Sequence, residues 1–560
     1  MNLKKLLRTP YPYIFLLTYY GVWLIWTYIK LPFSNPVDAI SYLPSIHYNP
    51  ANNILRFALA VLAPPLACLG YWWLDRHGKT FWKRRGSARL RKGFFAALAV
   101  LSLALILAAG LVQGSVKKSP TQVDTYGGPY DQPLVDTFHE GETLGPAVSY
   151  SRPGLKPYKD FVIVHGVFQD PLRGTIAFKL FGRSIGAVRA FAMLLVLATF
   201  ALLYILFMVL FRGDGVKSAI GVTVFAILTL PVVLVPALKN LVIGTVLPLR
   251  DIVTILFLIC GTLGFRYQLG KRTRLAQAMS AAIGFIAVAG FANSIDRAIY
   301  IFLLSLIWLV MMAFMEKPRA FFRRIVVWFG FGTLFGLFVL GLALKWEFGT
   351  FMDYLITMSL HKELLDGIPF NQPTMAMNLL LLFISVCLGA VLFWFAQTFD
   401  KTSGKAKSLK ARVRTFITGP VRKIVIQHHT LILLGITSLF FIRSALGRAL
   451  LDHFNYSVQW LYVTLIYFLL EYAFRSYKKL LLPTTYLTII ALGFTLVFFA
   501  GIVKKTDIRA EVFPVSVPDE KVVRKDYLET AAYLKQNLKG DETFVTLTSE
   551  GIWYYLVDKP

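Results

Sequence analysis

The sequence predicts an α-helical polytopic membrane protein of about 13 spanning helices, and three observations carry that reading. Of 560 residues, 56% are apolar and only 16% charged, too little charge for a soluble chain of that length. The apolar residues fall in unbroken runs of roughly 18–25, the length that crosses about 30 Å of hydrocarbon. The net charge of +29 sits in short connectors: Lys4/Lys5/Arg8, Arg76–Lys92, Lys271/Arg272/Arg274, Lys317–Arg324, Lys401–Lys423 and Arg475–Lys479. That is the distribution of the positive-inside rule rather than of a nucleic-acid binder. Anionic lipid headgroups of the inner leaflet are the expected counter-charge.

Taken in order, spans are expected at 13–30, 54–74, 94–114, 186–211, 218–236, 251–266, 276–292, 299–316, 325–346, 373–397, 429–447, 457–474 and 482–503. The first run is aromatic-rich and lacks a small-residue cleavage site, so it reads as a retained helix. With the N-terminus in the cytoplasm of a plasma or inner membrane, every basic connector falls inside. The odd number of spans then puts the C-terminal segment outside. Cys68, Cys260 and Cys387 all lie in apolar runs without metal or disulfide spacing. Residues 1–93 hold two helices and a basic loop, 94–503 the main helical body, and 504–560 an outer soluble segment. In that segment Asp526–Leu538 reads as an amphipathic helix, Thr543–Thr548 as a strand and Gly551–Val557 as a further element. The expectation is that the chain stops inside this domain.

One outer connector is unlike the rest. Residues 113–185 form a loop of roughly 70 residues, and loops of that length are functional or disordered. Its aromatics, among them Tyr126, Tyr130, Phe138, Tyr150, Tyr158 and Phe161, favour order. Its end, Thr175–Val188, reads as a helix lying on the membrane.

This loop packs Asp136, His139, Glu140 and Glu142 into a single short stretch. If that stretch is helical, Asp136 and Glu140 share a face with His139 beside them. Two carboxylates on one face repel, which suits a general base, a divalent-cation site or a sugar clamp. The competing reading is a solvated turn held by local hydrogen bonds. Further on, Phe161–Val164 reads as a buried stretch that presents His165 and Asp170 at its end. Asp170 is also a candidate cap for the following helix. Charged residues at outer membrane ends form a third group: Arg250-Asp251, Asp296-Arg297, and Arg443 and Arg448 with Asp452-His453. Adjacent Arg and Asp cannot neutralise one another along one helix face, which leaves each Arg for another partner. A guanidinium fork matches a phosphate well, and interhelical salt bridging is the alternative.

These features resemble the C-type (GT-C) membrane glycosyltransferases. The resemblance rests on Val135–Glu142 after a spanning helix, Pro157–Asp170, Phe181-Gly182-Arg183-Ser184 with Arg189, Leu446-Gly447-Arg448 with Asp452-His453, and Trp553-Tyr554-Tyr555-Leu556 with Lys559-Pro560. It covers the chain from about residue 94 onward, and the two helices before that point depart from the family pattern. The resemblance implies an enzyme that moves a sugar from a polyprenyl-phosphate carrier to a lipid, glycan or protein acceptor on the outer face, by inverting displacement. It implies Asp136 as base, Glu140 or Glu142 as sugar or acceptor clamp, and Arg250, Arg297 or Arg448 as phosphate ligands. His139, His165, Asp170, Asp296, Asp452 and His453 complete the expected substrate-binding set. A divalent cation on Glu140, Glu142 and His165 is an option that many relatives do without. The alternatives are a transporter or flippase for lipid-linked sugars, a glycan ligase or polymerase, and a non-catalytic subunit.

Overall fold

Long apolar runs become helices because a backbone removed from water must satisfy its own hydrogen bonds. The computed structural model describes residues 9–32, 49, 51–76, 135–229, 249–315, 318–360, 375–403, 408–444, 451–473, 514–540, 542–546 and 550–559. Two N-terminal helices, α1 (Tyr11–Leu24) and α2 (Ala51–Arg76), come first. The long loop expected over 113–185 supplies α3 (Gly141–Ser151) and α4 (Arg173–Phe181). The main body follows as α5 (Ile185–Leu210), α6 (Gly215–Thr229), α7 (Ile252–Leu269), α8 (Thr273–Asn293), α9 (Ile295–Ala313) and α10 (Val327–Ala343). It continues with α11 (Phe348–Leu360), α12 (Met375–Ser403), α13 (Leu409–Phe416), α14 (Arg422–Ser444) and α15 (Leu451–Phe468). Two helices close the chain, α16 (Lys525–Asn537) and α17 (Ile552–Val557).

Among the described residues, 8 helices are long and apolar enough to cross a membrane, so the chain is a membrane-embedded helical protein. The expected spans 54–74, 186–211, 251–266, 276–292, 299–316, 325–346, 373–397 and 429–447 each fall on one of them. The expected spans 13–30, 218–236 and 457–474 are helical over most of their described parts, in α1, α6 and α15. Residues 94–114, 230–236 and 482–503 lie outside the described residues.

The helices approach closely where side chains are small. A Cβ on Gly332 of α10 would lie 1.8 Å from the Ala281 carbonyl oxygen of α8, and one on Gly284 would lie 2.1 Å from that of Phe329. Close backbone approach of this kind is how helices associate in lipid, where apolar burial gives little drive. At the N-terminal pair, Pro65 offers no N–H to the Val61 carbonyl one turn back. The Ser385 hydroxyl of α12 donates to that carbonyl instead, at 2.9 Å.

Several expectations for the segments between and after the spans need correction. The helix expected over Thr175–Val188 ends at Phe181. Gly182 breaks it at φ +85°, and Ser184 then caps α5 by accepting from the Ala187 N–H. Phe161–Val164 is not buried as a run: Ile163 is fully buried, whereas Val162 is 71% exposed and Val164 44%. The side chains alternate, as on any extended stretch lying against a surface. Residues 543–546 are irregular rather than strand. The C-terminal helices do not stand apart from the loop. Val522, Ala531, Ile552 and Tyr555 share one apolar cluster with Val135, Leu144, Val148 and Ile185. Their contact is glycine on glycine: a Cβ on Gly145 would lie 2.3 Å from the Gly551 oxygen.

Candidate functional site

The acidic stretch from Asp136 to Glu142 is a helix entry. The Asp136 side chain accepts from the N–H groups of Phe138 (3.1 Å) and His139 (2.9 Å), as an N-cap does. Its other oxygen contacts His139 Nδ1 at 2.8 Å. Burial would raise the Asp136 pKa, but the hydrogen bonds from His139 and Phe138 outweigh it and hold the carboxyl below its ordinary value. Glu140 reaches back to the Asp136 N–H at 2.9 Å and forms a two-pronged pair with Arg189 of α5, at 2.7 and 2.8 Å. Such a fork spends both carboxylate oxygens on one guanidinium. Thr137 donates to Glu550 at 2.6 Å, which ties the same turn to the C-terminal helices.

Glu142 differs from its neighbours. It lies one turn further on, in α3, its side chain is only 11% exposed, and no described residue donates a hydrogen bond to it. The nearest cation is His165, whose Nδ1 is 3.7 Å from Oε2. Burial pushes the Glu142 carboxyl above its ordinary range. His165 pulls it back, and the negative charge of Asp170 pushes it up again.

Asp170 is buried and organises the loop that carries His165. One of its oxygens accepts from the N–H groups of Val164 (3.0 Å) and His165 (2.8 Å), and the other meets His165 Nδ1 at 3.1 Å. It therefore holds the preceding turn rather than capping α4. Burial works against a protonated His165, but the Asp170 hydrogen bond and charge overcome it and raise the imidazole above its usual value. Two contacts seat this loop on the α8–α9 junction. The His165 carbonyl accepts from the Ile295 N–H at 2.8 Å, and a Cβ on Gly166 would lie 2.9 Å from the Asn293 oxygen.

The adjacent Arg-Asp pairs exchange partners across two helices. Arg250 donates to Asp296 at 3.3 Å, and Arg297 Nε lies 3.0 Å from Asp251, while Arg297 Nη1 keeps a longer contact of 3.7 Å with its own neighbour Asp296. The Arg297 N–H is not aimed along that contact, so the two attract as charges rather than through a hydrogen bond. Arg297 and Asp251 are 3% and 0% exposed, with Gln459 on the second Asp251 oxygen and the Phe441 ring 5.0 Å below the guanidinium. Arg297 is thus sealed in an internal pair rather than left for a ligand. Arg250, 24% exposed, stays at the surface of the site within electrostatic reach of His165.

The fold brings Glu142, His165, Asp170, Arg250 and Asp296 into one cluster and sets Asp136 and His139 at its rim. Arg448 lies outside the described residues, as do the side chains of Asp452 and His453, whose backbone belongs to α15. Among the described residues no three His, Cys, Asp or Glu side chains are placed to hold a metal ion, and Glu140 is taken by Arg189. Two residues absent from the sequence reading belong here. Arg173 donates to Thr143 at 2.6 Å within reach of Asp170 and Glu140. Burial, with the charges of nearby Asp170 and Glu142 adding to it, pushes the Tyr354 phenol up to about 12. An Arg at the start of a surface helix and a Tyr some 200 residues away carry no local signal of a shared site. No known family profile matches the chain, and comparison with curated proteins and with solved structures finds no match.

Proposed function

We propose that this protein is a membrane glycosyltransferase that moves a sugar from a polyprenyl-phosphate carrier to an acceptor hydroxyl at the outer face. The observation that carries the reading is Glu142: a largely buried carboxylate with raised proton affinity and no described donor, beside His165 and within a cluster that contains Arg250. A general base works best when its pKa is lifted toward the working pH. Asp136 has both oxygens bonded and a lowered pKa, so the base role passes to Glu142 and Asp136 becomes the residue that orients the turn.

In the proposed reaction the acceptor oxygen attacks the anomeric carbon while the bond from that carbon to the carrier phosphate breaks. The acceptor proton goes to Glu142, and the electron pair leaves with the phosphate. A phosphate is already a good leaving group, so it needs cationic stabilisation more than a proton. Arg250, at the surface and shared with Asp296, is the cation for that purpose, and protonated His165 adds a second. Asp170 keeps His165 oriented and charged.

The basic end of the bundle, with Lys271, Arg272, Arg323, Arg324, Arg422 and Lys423, lies opposite this cluster. By the positive-inside rule that end faces the cytoplasm and the cluster faces out. The test is conversion of a radiolabelled polyprenyl-phosphate sugar to polyprenyl phosphate by membranes containing the protein. Movement of the labelled lipid across the bilayer with no glycosidic bond formed would mark a transporter instead.

A further inference from the structure

At the opposite end of the bundle a cavity of about 220 Å³ opens between the end of α5, the start of α14 and the end of α15. Arg212, His428, His429, Thr430, Tyr467 and Tyr472 are among the residues that line it. The backbone is irregular on each of its walls. His428 leaves the helical region at φ −124°, ψ 22°, Leu469–Ala473 forms a π-turn, and Arg212 is left-handed at φ +57°. π-turns inside helices often accompany functional sites, and irregular backbone at membrane depth is tolerated where it lines a cavity.

The charge around this cavity is unbalanced. Glu471 also lines it, but pairs with Lys217 at 2.8 Å. Arg266 donates to the carbonyls of Val209 and Leu210 at the end of α5 and lies within electrostatic reach of Arg212, His429 and Glu471. Among the described residues no carboxylate pairs with either Arg212 or Arg266. One guanidinium, that of Arg212, therefore faces a space walled also by Tyr467 and by the His428 ring and Tyr472 hydroxyl, which are 3.0 Å apart, with the Arg266 charge behind it.

We propose that this cavity binds a phosphate group at the basic end of the bundle, with Arg212 as its main charged contact and His428 and the two tyrosines as polar walls. The volume suits a headgroup rather than a whole lipid, and an accessible guanidinium with no carboxylate partner among the described residues suits an anion. The ligand is either the headgroup of a membrane lipid or a free phosphate, and the two share this chemistry.

Native mass spectrometry of the full chain released from detergent micelles tests it, with dioctanoyl phosphatidate, dioctanoylglycerol and inorganic phosphate as probes. Arg212→Asn removes the charge and tolerates the left-handed backbone. Lys271→Asn is a matched control, because Lys271 is exposed, left-handed at φ +58° and at the same end but does not line the cavity. The expected result is phosphatidate binding without dioctanoylglycerol binding, weakened at least tenfold (about 1.4 kcal/mol) by Arg212→Asn and unchanged by Lys271→Asn. Competition by inorganic phosphate would identify a free phosphate as ligand, and its failure to compete would identify a lipid headgroup. Equal loss in both variants, full binding by Arg212→Asn, or no phosphatidate binding would overturn the proposal.

Discussion

Replacing Asp170 by alanine is the sharpest structural perturbation of the candidate site. Its carboxylate is 2% exposed and accepts two backbone N–H groups, at 3.0 and 2.8 Å, besides contacting the His165 ring at 3.1 Å. Each buried donor left without a partner costs about 1–3 kcal/mol. The N–H groups of Val164 and His165 are part-buried, which puts the loss at the low end, about 2 kcal/mol for the two. The loop retains the buried Ile163 and the Ile295 N–H bond to the His165 carbonyl. The loss should therefore show as local opening of residues 161–172 rather than global unfolding. Hydrogen–deuterium exchange in lipid nanodiscs reads this directly: peptides across 161–172 should exchange at least tenfold faster, with the bundle helices unchanged. Asp170→Asn retains one acceptor oxygen and should fall between the two. Unaltered protection of 161–172 in Asp170→Ala would refute the anchoring role assigned to this carboxylate.

Three other outcomes follow from the same geometry. Gly332→Ala should destabilise the α8–α10 contact by about 1–3 kcal/mol, because its Cβ meets the Ala281 carbonyl, whereas Gly330→Ala, with nothing within 4 Å, should leave the thermal midpoint alone. Arg297→Met should cost about 3–5 kcal/mol by stranding buried Asp251, and a second change, Asp251→Leu, should recover part of it in thermal unfolding. His165→Gln removes a cation that lowers the Glu142 pKa, so the acidic limb of any pH–rate profile should move to higher pH. The stability sign runs the same way for both groups. Glu142 and His165 each have a raised folded pKa, so their contribution is present below the unfolded values and is lost as pH rises through the folded ones. Thermal midpoints of Glu142→Gln and His165→Gln across pH 4 to 8, about the range these groups titrate in, check this.

The helical body was legible because length and hydropathy report directly on a 30 Å slab, about the thickness of the hydrocarbon core. The acidic loop was legible as a place, from Asp136, Glu142, His165 and Asp170 standing in a polar, aromatic stretch between apolar runs. Roles within it were not. Asp136, Glu140 and Glu142 look alike in sequence, and only distant partners separate them: Arg189 takes Glu140, the local turn takes Asp136, and Glu142 is left facing His165. The same holds for Arg250 and Arg297. Each adjoins an aspartate in sequence, but the bundle pairs each with the other's neighbour and buries only one of the two pairs. Tertiary exchange of partners leaves no trace in local spacing.

The central claim, that Glu142 is the base for transfer from a lipid-linked sugar, meets its most direct test in one assay. Membranes containing the parent chain, Glu142→Gln or Asp136→Asn are supplied with radiolabelled polyprenyl-phosphate sugar, and the glycosidic product is separated and counted. General-base catalysis is worth about 10²–10⁴-fold. Glu142→Gln should lose at least the lower figure with normal protein levels, and Asp136→Asn should lose less. Full transfer by Glu142→Gln, or no glycosidic product from the parent, would contradict the account.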